Sequence, residues 1–158
     1  MIIVLMIVAY ILGSIPNALW IGKIFKGIDV REHGSKNTGS TNAARVLGAK
    51  LGILTLILDI SKGAIPTLIA TMLLDSTISA ILVGICAILG HSFSIFMKFK
   101  GGKAVATTVG VFIVLVPGAI LLAAVIFFLV FGITRYVSLS SMIGAISLPI
   151  WIILFYKN

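Results

Sequence analysis

Long apolar runs recur from end to end of this chain, over 2–21, 51–74, 78–97, 104–116, 118–134 and 138–155, separated by short polar passages. About 20 apolar residues at 1.5 Å rise each cross a ~30 Å hydrocarbon core. Inside lipid only a helix or a closed barrel satisfies the backbone. The pattern therefore predicts an all-α, polytopic integral membrane helix bundle with six spans in one domain, both ends on the same face. Residues 104–134 carry no charge. As one helix they would reach ~45 Å, too long for a single crossing. Pro117-Gly118 is a natural turn between two short spans. No internal repeat is visible.

Polar residues inside the runs mark places that cannot face lipid. Gly13, Ser14, Pro16 and Asn17 interrupt the first span, which predicts a kink turned toward protein or a wet cavity. Asp59 and Lys62 lie three apart on one helix face, where they can neutralise each other. Asp59 falls on the order of 12 Å along its helix, where charge is costly and points to a bundle interior. A structural ion pair and a catalytic one both fit that spacing. Gly63 and Pro66 permit a bend just beyond. The first 21 residues have neither a basic leader nor a small-residue cleavage site, and read as a retained span.

Composition agrees with the pattern. Of 158 residues, 60% are hydrophobic and 10% charged, against about 25% charged in soluble domains. The net charge of +8 would suit nucleic acid, but nine of the twelve basic residues fall in 23–50 and 98–103. That is the positive-inside arrangement of a multi-pass protein. It places those loops on the cytoplasmic side of a cell membrane and needs no nucleic acid. Cys86 is the sole cysteine and lies in an apolar run, so no disulfide is expected. No His, Cys, Asp and Glu stand at metal-ligand spacing, and neither metal nor cofactor is expected.

The long polar passage is Arg31–Gly48, REHGSKNTGSTNAARVLG. Gly34 and Gly39 loosen the backbone among short hydrogen-bonding residues, Ser35, Asn37, Thr38, Ser40, Thr41 and Asn42. Ala43 to Leu47 read as a brief helix with Thr41 or Asn42 as its cap. A glycine-loosened loop running into a helix start presents free N–H groups to an anion. Arg45 adds a planar fork for a phosphate. A solvated basic loop would need the charge but not the paired glycines and the hydroxyl and amide run. His33 reads as part of that loop. The second basic loop, Lys98 to Lys103, ends in Gly101-Gly102-Lys103 before a helix start. It is an ordinary turn or a second anion loop. It is not a P-loop, since Met97 and Ala104 stand where that pattern needs Gly and Ser or Thr. His91 reads either as a satisfied helix-end histidine or as a base.

Four ordered stretches resemble a known family. Gly13-Ser14-Ile15-Pro16, Asp29-Val30-Arg31 and GSKNTGSTNAARVLG are similar to the first motif of the bacterial acyl-phosphate:glycerol-3-phosphate acyltransferases. Asp59-Ile60-Ser61-Lys62-Gly63-Ala64-Ile65-Pro66 resembles their D-x-x-K-G-x-x-P segment, Gly90-His91-Ser92 with FKGGKAVAT their second motif, and Arg135 to Ser141 a further signature. The resemblance implies transfer of an acyl chain from acyl phosphate to the 1-hydroxyl of glycerol 3-phosphate, giving lysophosphatidic acid and phosphate for phospholipid synthesis. By that resemblance the family usually has Gly where Lys36 stands and often Ala where Ser40 stands. It also implies a seventh helix and a basic third motif with His and Asn, so this chain, which stops at Asn158, is expected to be C-terminally shortened. The His-x4-Asp arrangement of many lipid acyltransferases is absent, since Thr38 and Phe96 follow His33 and His91 at that spacing.

The expected roles follow. Ser35, Asn37, Arg45 and Lys103 are the catalytic candidates. Gly34, Gly39, Ser40, Thr41, Asn42, Lys62, His91, Gly101, Gly102, Ser138 and Ser141 are the substrate-binding candidates. The first loop would hold one phosphate and Lys103 with its glycines the other, with acyl tails between the helices. The attacking hydroxyl would pass its proton to a substrate phosphate oxygen or to His91. A phosphate-ester transporter and a non-catalytic binding paralogue are the rival readings. The partners expected are the two substrates and membrane lipid. Oligomeric state is not legible.

Overall fold

The computed structural model describes residues 1–156, and every regular element among them is helical. The expected outer end at Lys157-Asn158 lies outside the described residues. The helices are α1 (Ile2–Ser14), α2 (Asn17–Lys26), α3 (Ser40–Leu47), α4 (Ala49–Leu73), α5 (Thr77–Ser92), α6 (Val105–Leu115), α7 (Pro117–Thr134) and α8 (Val137–Tyr156), with a 3-10 turn at Ile95–Met97. Two compact units divide the chain at Val111/Phe112.

The first unit holds α1 to α5 and most of α6. The expected kink is present: α1 and α2 meet at 41° across Ile15-Pro16, with Gly13, Ser14 and Pro16 buried. Small residues let the backbones close on each other, as they do where helices associate in lipid. A Cβ on Gly13 would overlap the main chain of Ala87, and one on Gly90 the main chain of Tyr10 and Ser14. The α1–α5 seam is thus glycine on both sides. Gly63 against Thr107 and Gly110 against Ile60 and Ala64 make the same arrangement between α4 and α6. Ser94 donates its hydroxyl to the Ser14 carbonyl, tying the 3-10 turn to the kink. Under α3 a small core of Ala18, Ile21, Val30, Ala43 and Leu47 seats the first polar loop on α2.

In the second unit α7 and α8 form an antiparallel hairpin. Gly118 N–H donates to the Tyr156 hydroxyl at 3.2 Å, so the start of α7 lies beside the end of α8. Ala119, Ala123 and Leu148 form its core, with Trp151 packed on them.

Four helices are long and apolar enough to cross a membrane, and the bent α1/α2 pair makes a fifth. The sixth expected span, 104–116, is an eleven-residue helix, only ~16 Å long at 1.5 Å per residue. The division at Pro117 holds, because Pro117 opens α7.

Candidate active site

Residues 27–39 turn back over α3. Asp29 anchors the entry. Its carboxylate accepts from Arg31 N–H at 3.0 Å, Nε at 2.9 Å and Nη2 at 2.6 Å, with Lys23 Nζ at 3.7 Å. The Arg31 guanidinium holds that carboxyl well below the usual range, at about 2. Arg31 is therefore already paired. Arg45 is exposed and has no ion-pair partner among the described residues.

Asn42 was expected at the substrate. Its side chain is buried instead and holds the loop together. Oδ1 accepts from Ser35 N–H at 2.8 Å, while Nδ2 donates to the carbonyls of Val30 at 2.9 Å and His33 at 3.2 Å. With that side chain turned inward, neither it nor Thr41 caps α3. The cap position is Gly39, extended at φ −95° and ψ 166°, and no side chain bonds there. The N–H groups of Ser40, Thr41 and Asn42 have no backbone acceptor among the described residues, as the first turn of a helix dictates. Gly39 N–H is not free, because Asn37 Oδ1 accepts from it at 2.9 Å. That fixes Asn37 and leaves its amide Nδ2 to bind outward. Gly34, at φ +60°, runs under the stem of Arg45: a Cβ there would stand 3.4 Å from Arg45 Cδ and would strike Asn42 Oδ1. The guanidinium thus leaves α3 from beside the loop carrying Ser35 and Asn37.

The second loop is strained. Lys98, Phe99 and Ala104 sit at φ +53°, +61° and +56°, conformations that cost a side-chain-bearing residue ~1–2 kcal/mol each. Gly101 N–H donates to Ser92 O at 2.9 Å and Gly102 N–H to His91 O at 3.1 Å. This corrects the expectation that these glycines offer their N–H groups to a phosphate, since both saturate the open carbonyls at the end of α5. Glycine is required there by close approach: a Cβ on Gly101 would overlap His91 O, and one on Gly102 would stand 2.5 Å from His91 Nε2. The same point lies 3.3 Å from Thr38 Oγ1. The two loops therefore meet at Thr38 and Gly102, with Asn37 and the exposed Lys103 next to that contact.

Beneath it lies a buried polar cluster. Asp59 Oδ1 receives Lys62 Nζ and Asn17 Nδ2, each at 2.9 Å. Lys62 Nζ also donates to the Ile15 carbonyl at 2.9 Å, beside the Asn17 N–H that reaches the same oxygen at 3.1 Å across the Pro16 break. Lys62, expected to bind substrate, is spent on holding the kink, and the structural reading of the Asp59–Lys62 pair is the one its contacts support. His91 Nδ1 lies 3.0 Å from Thr107 Oγ1 and 3.9 Å from Asp59 Oδ1. Ser138 and Ser141 belong to the second unit, at the start of α8, and Ser141 donates its hydroxyl back to Val137 O at 2.8 Å. Asn17, Thr38 and Thr107 were not singled out from sequence as site residues. The usable signal for Asn17 was a polar residue directly after a span-breaking proline.

The sequence profile of the family described as Glycerol-3-phosphate acyltransferase matches residues 3–157. The chain belongs to the glycerol-3-phosphate acyltransferase family. It is 49% identical over 152 residues to the glycerol-3-phosphate acyltransferase of Fusobacterium nucleatum, covering 96% of this chain and 78% of that one. It is 50% identical to glycerol-3-phosphate acyltransferase 2 of Bacillus anthracis, with 97% and 80% covered. Among solved structures it is similar to PlsY (YgiH), an integral membrane glycerol 3-phosphate acyltransferase. The glycerol 3-phosphate form superposes with a TM-score of 0.92 at 41% identity, over 97% of this chain and 76% of that one. The lysophosphatidic acid form gives 0.89 at 40% identity.

The glycine that the motif resemblance implies at position 36 acquires a physical reason. Lys36 sits at φ +59°, with its N–H on His33 O at 3.0 Å. Lys36→Gly relieves left-handed strain and raises unfolded-state entropy, two opposing effects whose balance should stabilise by at most ~1 kcal/mol. Lys36→Val should destabilise by more than that. Thermal unfolding in detergent reads both.

Proposed function

We propose that this chain is an acyl-phosphate-dependent glycerol-3-phosphate O-acyltransferase, working at the cytoplasmic face of a cell membrane. The observation that carries the reading is the meeting of two loops at Thr38 and Gly102, each bringing an exposed cation, Arg45 and Lys103. The free N–H groups of Ser40, Thr41 and Asn42, with the Arg45 fork, suit one phosphate. Lys103 suits the second. Ser35 Oγ and Asn37 Nδ2 orient the glycerol end in this reading. The 1-hydroxyl oxygen attacks the acyl carbonyl carbon, the carbon–oxygen bond to phosphate breaks, and inorganic phosphate leaves. The hydroxyl proton passes to a phosphate oxygen, for which the absence of a carboxylate from both glycine turns argues. Acyl phosphate is an activated mixed anhydride, so positioning and charge stabilisation can supply much of the rate.

Both anion positions suit small phosphates, and the His-x4-Asp arrangement is absent. In nanodiscs, therefore, acyl phosphate should support transfer to glycerol 3-phosphate and acyl-CoA should not. Efficient use of acyl-CoA would overturn the donor assignment. The cytoplasmic placement has its own check. In a Cys86→Ala background, cysteines at Lys36 and Lys100 should resist an impermeant thiol reagent in intact cells, and one at Ser76 should be labelled. Labelling of Lys36 or Lys100 from outside would contradict it.

A further inference from the structure

His91 touches the glycine turn of the second loop and the helix that follows it. Its carbonyl accepts from Gly102 N–H at 3.1 Å, and the neighbouring Ser92 carbonyl accepts from Gly101 N–H. Its Nδ1 is 3.0 Å from Thr107 Oγ1, in the first turn of the helix into which the loop runs. Its Nε2 packs on Gly102, so closely that no Cβ would fit. Behind the ring stand Asp59, paired with Lys62. Before it stands Thr38, whose hydroxyl is buried and has no partner among the described residues. One side chain thus bridges the end of α5, the glycine turn and the start of α6, across a loop whose Lys98, Phe99 and Ala104 are all left-handed. Such backbone persists only where its surroundings over-determine it.

We propose that His91 is a positioning residue, not the base. The ring pins the Gly101-Gly102 turn between Thr107 and Thr38 and so fixes where Lys103 presents its ammonium. The inference rests on the acyltransferase reading and adds a role for this residue to it. Removing one hydrogen-bonded peg should loosen the loop and weaken capture of the phosphate it serves, about tenfold by the usual worth of such a bond. The step after capture should change less.

The test compares His91→Ala, His91→Asn, Thr107→Val and Lys103→Gln, each checked for folding by thermal unfolding in detergent, with KM measured for both substrates. Lys103→Gln identifies the substrate served by the second loop. His91→Ala should raise the KM of that same substrate about tenfold, with kcat within about threefold. Thr107→Val, which removes only the hydroxyl, should shift the same KM in the same direction. His91→Asn can keep a hydrogen bond to Thr107 but cannot carry a proton under assay conditions, and it should restore most of the affinity. A collapse of kcat in His91→Asn with unchanged KM would make His91 the proton acceptor and overturn the proposal. Wild-type kinetics in both His91→Ala and Thr107→Val would overturn it equally. Should wild-type protein show no transfer at all, the acyltransferase reading fails by itself. Direct binding of glycerol 3-phosphate and inorganic phosphate then carries the comparison. Weaker binding in His91→Ala and Thr107→Val but not in His91→Asn would support the positioning role, and equal binding in all would end it.

Discussion

Arg45→Ala should lower kcat/KM by about ten- to hundredfold or more, because a charge-assisted bond to a charged partner is worth about 1.5–3 kcal/mol. The fold should barely notice. Arg45 is exposed and forms no ion pair among the described residues, so the unfolding temperature should stay near wild type. Asn42, not Arg45, holds the loop. Arg45→Lys keeps the charge but replaces two parallel bonds with one point contact, and should recover only part of the loss. Arg31→Ala makes the contrast: its guanidinium is paired with Asp29, so it should act on loop order more than on chemistry. Wild-type turnover in Arg45→Ala would remove the first loop from the phosphate.

Lys62→Met should be the most destabilising of the single changes considered. Lys62 and Asp59 are 8% and 1% exposed, and the Asp59 Oδ2 atom already lacks a partner among the described residues. Taking the ammonium away leaves a buried carboxylate held by Asn17 alone, a situation that costs about 3–5 kcal/mol. It also takes one of two donors from the Ile15 carbonyl at the kink, which keeps the Asn17 N–H at 3.1 Å, a lost bond worth about 0.5–1.5 kcal/mol. Replacing both members, Asp59→Leu with Lys62→Met, removes the uncompensated charge and should recover much of the first cost but not the second. Thermal unfolding in one detergent for the wild type and the single and double variants measures this. A double variant no better than the single would mean that the pair matters for something other than its mutual charge.

How much of this was legible beforehand depended on whether a residue's job was local. Five of the six expected spans were legible because long apolar runs have few alternatives, and the break at Pro16 because proline removes a donor wherever it stands. The Asp59–Lys62 pairing followed from helix spacing alone. The two basic loops were legible as loops, but which of their groups remain free was not. Gly101 and Gly102 carry a phosphate-loop appearance, yet their N–H groups are taken by carbonyls of Ser92 and His91, a contact set by how the chain folds back on α5. Asn42 looked like a ligand or a cap because short amides favour both, and only the fold shows Val30 and His33 awaiting it. Thr107 lies sixteen residues from His91, and no periodicity connects them. The motif resemblance named the family where residue chemistry alone stopped at a phosphate-handling membrane protein.

The most direct test of the acyltransfer account is product stoichiometry. The chain should be reconstituted in sealed liposomes, given acyl phosphate and labelled glycerol 3-phosphate, and assayed together for ester, inorganic phosphate and trapped label. The account predicts one phosphate released for each acyl ester formed at the 1-hydroxyl, with ester formation dependent on Arg45 and Lys103. Label accumulating inside the liposomes unesterified, or phosphate released without ester, would contradict it.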